Sequence, residues 1–201
     1  MKYQPGVTSA RSLFALIIAG LLTSAAGGLA QVDVPRLYDS NNQLVDPFRT
    51  PPGTTATVFL FTSSDCPVSN RYAPEFRRLY EAFGPRGVRF WLVYPNPADS
   101  PAIVRQHLVD FAYPMSALRD PEHLLVKRMK ASVTPEAAVF DTRGRLTYRG
   151  RIDDRYARLG LERPAPTRHD LDDALTSTLA GKPVAQPVTQ AVGCFIADLR
   201  Q

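Results

Sequence analysis

The sequence predicts an α/β fold: a mixed β-sheet flanked by helices on both faces, entered through an N-terminal hairpin and left through a C-terminal tail. Three observations carry this. "TVFLFT" (Thr57 to Thr62) and "VRFWLVYP" (Val88 to Pro95) are continuous β-branched and aromatic runs, the pattern of strands buried on both faces. Helical patterns separate the strands, so neighbours run parallel through right-handed crossovers. Near the end, "EAAVFD", the turn Thr142-Arg143-Gly144 and "RLTYRGRI" add an antiparallel hairpin.

The elements follow in order. "RLYDSNNQLVDP" places two short extended pieces around Asp39 to Asn42, a hairpin that leads into the domain. After the first buried strand, Pro67 opens a helix expected to reach Phe83, with Tyr72, Phe76, Leu79, Tyr80 and Phe83 on one stripe. Gly84-Pro85 stops it. After the second strand, Ser100 caps a helix begun by Pro101, whose inner stripe is Ile103, Val104, His107, Leu108 and Phe111. An extended piece, Pro114 to Leu118, precedes Asp120-Pro121, which repeats the cap-and-proline device and opens a helix to about Met129 burying Leu124, Leu125 and Met129. Beyond the hairpin, a loop rich in arginine and proline leads to a last helix, Asp170 to Leu179, closed by Gly181.

Residues 1–30 read differently. Lys2 and Arg11 precede the apolar run Leu13 to Ala26, and Gly28-Leu29-Ala30 supplies small residues at a cleavage site, the pattern of a secretory signal peptide. The run is shorter than the roughly 20 residues a membrane-spanning helix needs, so no stable membrane anchor is expected after cleavage. The expectation is export to a periplasmic or extracellular space, with a domain over 31–181 and a tail over 182–201. Lys2 and Arg11 leave with the leader, which lowers the formal charge from +5 to +3. That surplus is scattered, with no basic stripe interleaved with aromatics, so nucleic acid is not an expected partner.

The chain has two cysteines, Cys66 and Cys194, both beyond the leader. In an oxidising compartment an even pair can simply bond to itself. Cys66, however, falls where the first buried strand ends and a helix begins, beside free backbone N–H groups that favour a thiolate. Asp65 next to it works the other way. Pro135 opens the strand expected to lie antiparallel to that of Cys66, so it lands near Cys66, and Thr134-Pro135 can take the cis form. The following strand returns Arg149 and Arg151 to the same sheet edge, either to neutralise a thiolate or to pair with Asp153 and Asp154 in solvent. His107, His123 and His169 lack ligand spacing, so no metal site and no cofactor are expected. Trp91 belongs to a core strand, and Asn70 supports the first helical turn.

"SSDCPVSN…YAPE", "LRDP", "VTPEAAVFD…YRGRIDD" and the late "VGCFI", taken together, resemble the exported redoxins of the thioredoxin-like superfamily, in the peroxiredoxin-like, AhpC/TSA-like subgroup, over roughly Val32 to Leu179. The resemblance implies a thioredoxin-like fold and a redox-active Cys66 facing a cis Pro135. Departures from the family pattern are also informative. Ser69 stands where thioredoxins keep the second cysteine of C-x-x-C, Ser63 and Phe59 replace a threonine and a proline of peroxiredoxins, and Asn70 replaces the second cysteine of copper-handling relatives. Resolution therefore falls to Cys194, the one internal candidate.

Three functions stay open. The first is an extracytoplasmic thiol–disulfide oxidoreductase: Cys66 attacks, Ser69 steadies its charge, Cys194 resolves, and Thr134 and Pro135, with Arg149 and Arg151, shape the site where protein thiols or disulfides, or a small thiol, dock. The others are a thiol-dependent peroxidase and a non-catalytic binding module stapled by Cys66–Cys194.

Overall fold

The computed structural model describes residues 1–4 and 37–196; residues 5–36, which hold most of the expected signal peptide, and residues 197–201 lie outside that range. The chain runs β1 (Leu37–Asp39), β2 (Leu44–Val45), β3 (Ala56–Phe61), α1 (Pro67–Arg71), α2 (Ala73–Phe83), β4 (Val88–Tyr94), α3 (Pro101–Asp110), β5 (Ser116–Arg119), α4 (Leu124–Met129), β6 (Val133–Thr134), β7 (Glu136–Asp141), β8 (Leu146–Gly150), β9 (Tyr156–Arg158), β10 (Leu161–Glu162), α5 (Asp170–Leu179) and β11 (Cys194–Phe195). A seven-stranded sheet has the order β2-β1-β5-β4-β3-β7-β8. β3 and β5 run parallel to β4, β7 lies antiparallel to β3, and β8 antiparallel to β7.

The two continuous apolar runs become the two central strands because both of their faces are covered. Val58 and Leu60 of β3 join Phe76 and Leu79 of α2 and Leu171 and Leu175 of α5 in one core. Phe59 and Phe61 point the other way, into a second core with Trp91, Leu125 and Met129. Period-two alternation in β3 thus feeds both layers at once.

Four expectations change. The first long helix is broken at Tyr72 (φ −84°, ψ −3°). Pro74 has no N–H to continue the ladder and restricts the residue before it, so the chain restarts as α2. Ile103 is exposed, the stripe of α3 being turned toward Val104 and His107. Leu124 is also exposed: Pro121 to His123 form a turn, and α4 starts at Leu124, with the Asp120 carboxylate accepting the N–H groups of Leu124, Leu125 and Val126. The arginine-rich loop contains the small β9–β10 hairpin, and the tail adds β11, paired with β6.

Leu60 sits fully buried at the centre of β3. Leu60→Ala is expected to lower unfolding free energy by about 2–5 kcal/mol, read as a shift of the urea midpoint at unchanged slope.

Candidate active site

β3 delivers Cys66 to the sheet edge. Thr62 N–H donates to Val93 O (2.8 Å), which keeps the chain on the sheet one residue past β3, and Ser63 to Asp65 then turn away from it. Cys66 is the N-cap of α1 (φ −87°, ψ 108°), and Ser69 N–H donates to its Sγ at 3.4 Å. Pro67 fits the first helical position because its missing N–H would have had no partner there. α1 has only five residues, so the electrostatic help to Cys66 is local, from one nearby N–H rather than a long helix.

Cys66 is bonded to Cys194, with Cα atoms 6.1 Å apart. It is 1% exposed, while Cys194 is half-buried. The covering segment is the tail itself. β11 pairs antiparallel with β6, placing Cys194 opposite Thr134 and Phe195 opposite Val133, and Ile196 N–H donates to Ser132 O (3.1 Å). The Thr134–Pro135 peptide is cis. Thr134 O lies 3.1 Å from Cys66 Sγ. The bonded sulfur has no proton to give, but a thiol formed by reduction could donate to this carbonyl, whereas a thiolate would be repelled by it. Ser69 N–H favours the thiolate, so the two contacts oppose each other.

The tail is held a second time, upstream. Arg149 N–H donates to Pro187 O (3.0 Å), Thr189 N–H to Arg149 O (3.1 Å) and Arg151 N–H to Thr189 Oγ1 (3.1 Å), while Tyr148 Oη lies 2.6 Å from the same hydroxyl. Two glycines permit these close approaches. A Cβ on Gly150 (φ +143°) would meet Thr189, and one on Gly193 would meet the Thr134 carbonyl and lie 3.1 Å from Pro135 N.

A polar network lies on the α1 side of Cys66. The Ser63 hydroxyl contacts Asp65 Oδ1 (2.5 Å) and Asp99 Oδ2 (3.2 Å), and the Ser64 hydroxyl donates to Asp99 Oδ1. Burial pushes the Asp99 carboxyl up, against the hydrogen bonds from Ser64 and Ser63. Further out, Asn70 Nδ2–H donates to Ser64 O (3.1 Å), which leaves Asn70 Oδ1 to accept from His107 Nε2–H (2.9 Å). His107 Nδ1 then accepts from Tyr94 O–H (2.8 Å). Every group has its complement with a neutral imidazole, and burial also pushes the His107 pKa down. Asn70 thus supports α1, and His107 anchors Asn70 to α3.

The residues singled out in the sequence separate into two groups. Cys66, Cys194 and Thr134 line a cavity of about 190 Å³, together with Ser63 and Asp65. Pro135 directly follows Thr134, and the buried Ser69 hydroxyl has no hydrogen-bond partner among the described residues. Arg149 and Arg151 lie elsewhere. Arg149 donates to Lys130 O (3.0 Å), and Arg151 forms a two-bond pair with Asp170 (2.8 and 3.2 Å) rather than with Asp153 or Asp154. Neither lines the sulfur cavity, so neither is a charge partner for Cys66 here. Ser63, at the peroxiredoxin threonine position, directs its hydroxyl to carboxylates. Asp99 escaped the sequence reading because its loop closes on Ser63 and Ser64 only in three dimensions. "VGC" did carry a signal for the close approach of Gly193.

The model of the AhpC/TSA family matches residues 31–149. Among solved structures, the chain is similar to an uncharacterized conserved protein from Geobacillus kaustophilus (27% identity, 81% of this chain and 88% of that one, TM-score 0.69). It is also similar to a hypothetical protein from Sinorhizobium meliloti (24%, 81% and 89%, TM-score 0.69). A secreted Mycobacterium tuberculosis disulfide oxidoreductase homologous to E. coli DsbE shares the fold (14%, 74% and 96%, TM-score 0.50). No curated protein matches the sequence.

Asp99 gives a pH test. A carboxyl whose folded pKa is raised contributes stability that is fully present below its unfolded value, about 3.9, and lost as pH rises through the folded value, about 1.4 kcal/mol for each unit between them. Asparagine has nearly the same shape and does not titrate. Asp99→Asn is therefore expected to match the parent near pH 4 and to exceed it in thermal midpoint at pH 8.

Proposed function

The chain belongs to the AhpC/TSA family and has a thioredoxin-like fold, and on that premise we propose that it is an extracytoplasmic thiol–disulfide oxidoreductase acting through Cys66, with Cys194 as resolving thiol. The observation that carries this is the placement of the bond: it joins a cysteine capping a helix at the sheet edge to a cysteine on a two-residue strand of the tail. The bond lies at the margin of the fold: the segment that carries Cys194 adds a two-residue strand beside β6 and one buried side chain, Ile196, to the second core, while the first core takes nothing from it.

The chemistry balances as an exchange. In the reduced protein, the Cys66 thiolate attacks a substrate disulfide, forming a mixed disulfide and releasing one substrate thiolate, which takes a proton. The Cys194 thiolate then attacks Cys66 Sγ, forms Cys66–Cys194 and releases the second substrate thiolate. Two electrons pass to the substrate, and the same steps in reverse oxidise a dithiol. Ser69 steadies the Cys66 thiolate through its N–H. Thr134 and Pro135 form the wall against which the reacting sulfurs meet. Protein thiols and disulfides are the proposed substrates. Export is supported by the leader pattern of residues 1–30 and accords with a bond that persists under oxidising conditions.

The burial of Cys66 favours a second reading, a structural clasp. Closing a loop over a separation of 128 residues can stabilise the fold by about 5 kcal/mol. The reduction potential decides between the two: a value below about −300 mV marks a clasp, and a value above it an exchanging bond.

Trapping gives a direct test. Cys194→Ser is expected to accumulate a mixed disulfide with a reduced-and-reoxidised protein substrate, seen as an added mass that dithiothreitol removes. Cys66→Ser is expected to give none through this route. Equal trapping by both variants would overturn the assignment of Cys66 as nucleophile.

A further inference from the structure

Beside the sulfur cavity, on the other side of the tail, lies an open groove of about 710 Å³. Gly193 and Phe195 reach it while Cys194 between them faces Cys66, as alternation along an extended segment requires. Its walls carry four guanidinium groups, from Arg149 and Arg151 at the end of β8 and Arg158 and Arg163 on or next to the β9–β10 hairpin. Arg151 pairs with Asp170, while Arg163 and Arg149 each donate to a backbone carbonyl, Asp154 O (2.6 Å) and Lys130 O (3.0 Å). Arg149 and Arg158 have no acidic partner within ion-pair distance among the described residues. Glu136 is the only acid in the lining among the described residues; its carboxylate accepts from the N–H groups of Ser132 (2.9 Å) and Val133 (3.4 Å) and lies near enough to Arg149 to feel its charge. The groove therefore shows a positive surface.

It is also apolar at its rim: Phe195 is 79% exposed, Val188 57% and Leu159 49%. An exposed aromatic ring beside arginines is a composition enriched at protein interfaces, and the two aliphatic side chains extend the apolar surface around it. Backbone groups are open as well. Gln190 and Ala191, which line the groove between the two attachments of the tail, make no backbone hydrogen bond among the described residues.

We infer that this groove docks an extended, acidic segment of the redox partner protein and presents that partner's cysteine to the Cys66–Cys194 bond. The inference rests on the exchange reading and names its partner. Acidic side chains meet Arg149 and Arg158, apolar ones cover Phe195 and Val188, and the backbone of residues 190–191 offers hydrogen bonds to an extended chain. Charge of one sign beside the reactive bond also raises the encounter rate with an oppositely charged partner, an effect that added salt removes.

The test uses two peptides of equal apolar content, one with glutamate flanks and one with lysine flanks, each made with and without a cysteine pair. Binding of the cysteine-free peptides to the oxidised protein, read by fluorescence anisotropy, should favour the acidic peptide at least tenfold at low salt. Arg158→Glu should remove that preference, and 0.5 M salt should shrink it. Arg143→Glu, on the exposed β7–β8 turn at the far end of the same hairpin, should leave it intact and so controls for net charge. Equal binding of both peptides, or an equal loss from the Arg143 variant, overturns the groove. Reduction by the dithiol peptides and by dithiothreitol is measured separately. A groove that prefers the acidic peptide beside a bond that none of these reagents opens keeps the docking surface and removes the exchange reading.

Discussion

β3 has no free edge and no free face. Its backbone pairs with β4 on one side and β7 on the other, along its whole length, and its side chains alternate into the two cores. Neither a shift along the strand axis nor a rotation is available, since a one-residue slip would exchange the contents of both layers. The point at which the chain leaves the sheet is fixed in consequence, and Cys66 inherits that fixity. β7, registered against β3, places Pro135 and Thr134 beside the same exit point. The meeting of Cys66 with Thr134 is thus a consequence of sheet register.

Around this rigid centre the polar groups are arranged to cost little. The Asp120 carboxylate spends its oxygens on three N–H groups at the start of α4, and Glu136 does similar work for Ser132 and Val133. The Tyr94–His107–Asn70–Ser64 chain has one direction in which all donors and acceptors match, which ties α1 to α3 and β4. These are supports for the loop that carries Cys66, and a neutral His107 belongs among them rather than with the reactive groups.

Most of the sheet was legible because buried central strands leave an unmistakable apolar run, and capped proline starts mark helices plainly. Cys66 at the end of such a run and Thr134-Pro135 before another were legible for the same reason. What the sequence hid depends on contacts between distant segments. β11 is two residues long and has no pattern of its own; it exists because β6 offers an edge and a sulfur fixes it there. The partner of Arg151 was misassigned because Asp153 and Asp154 are near in sequence while Asp170 is near in space. The break at Tyr72 was written in Pro74, but the apolar stripe continues across it, and periodicity alone reads through such an interruption.

The upstream attachment at Thr189 changes the effective length of the tail. Counting from Gly181 suggests a tether of thirteen residues, but the fastening of residues 187–189 to β8 leaves four between Thr189 and Cys194, five Cα–Cα steps with a reach of at most about 18 Å. A released Cys194 would be confined to a small volume over Cys66, at a local concentration in the millimolar range or above. Ring closure would then proceed as a first-order event, indifferent to protein dilution, and a competing thiol in solution would have to exceed that concentration to intercept the intermediate. Loosening the anchor at Thr189 would lengthen the lifetime of that intermediate without touching either sulfur.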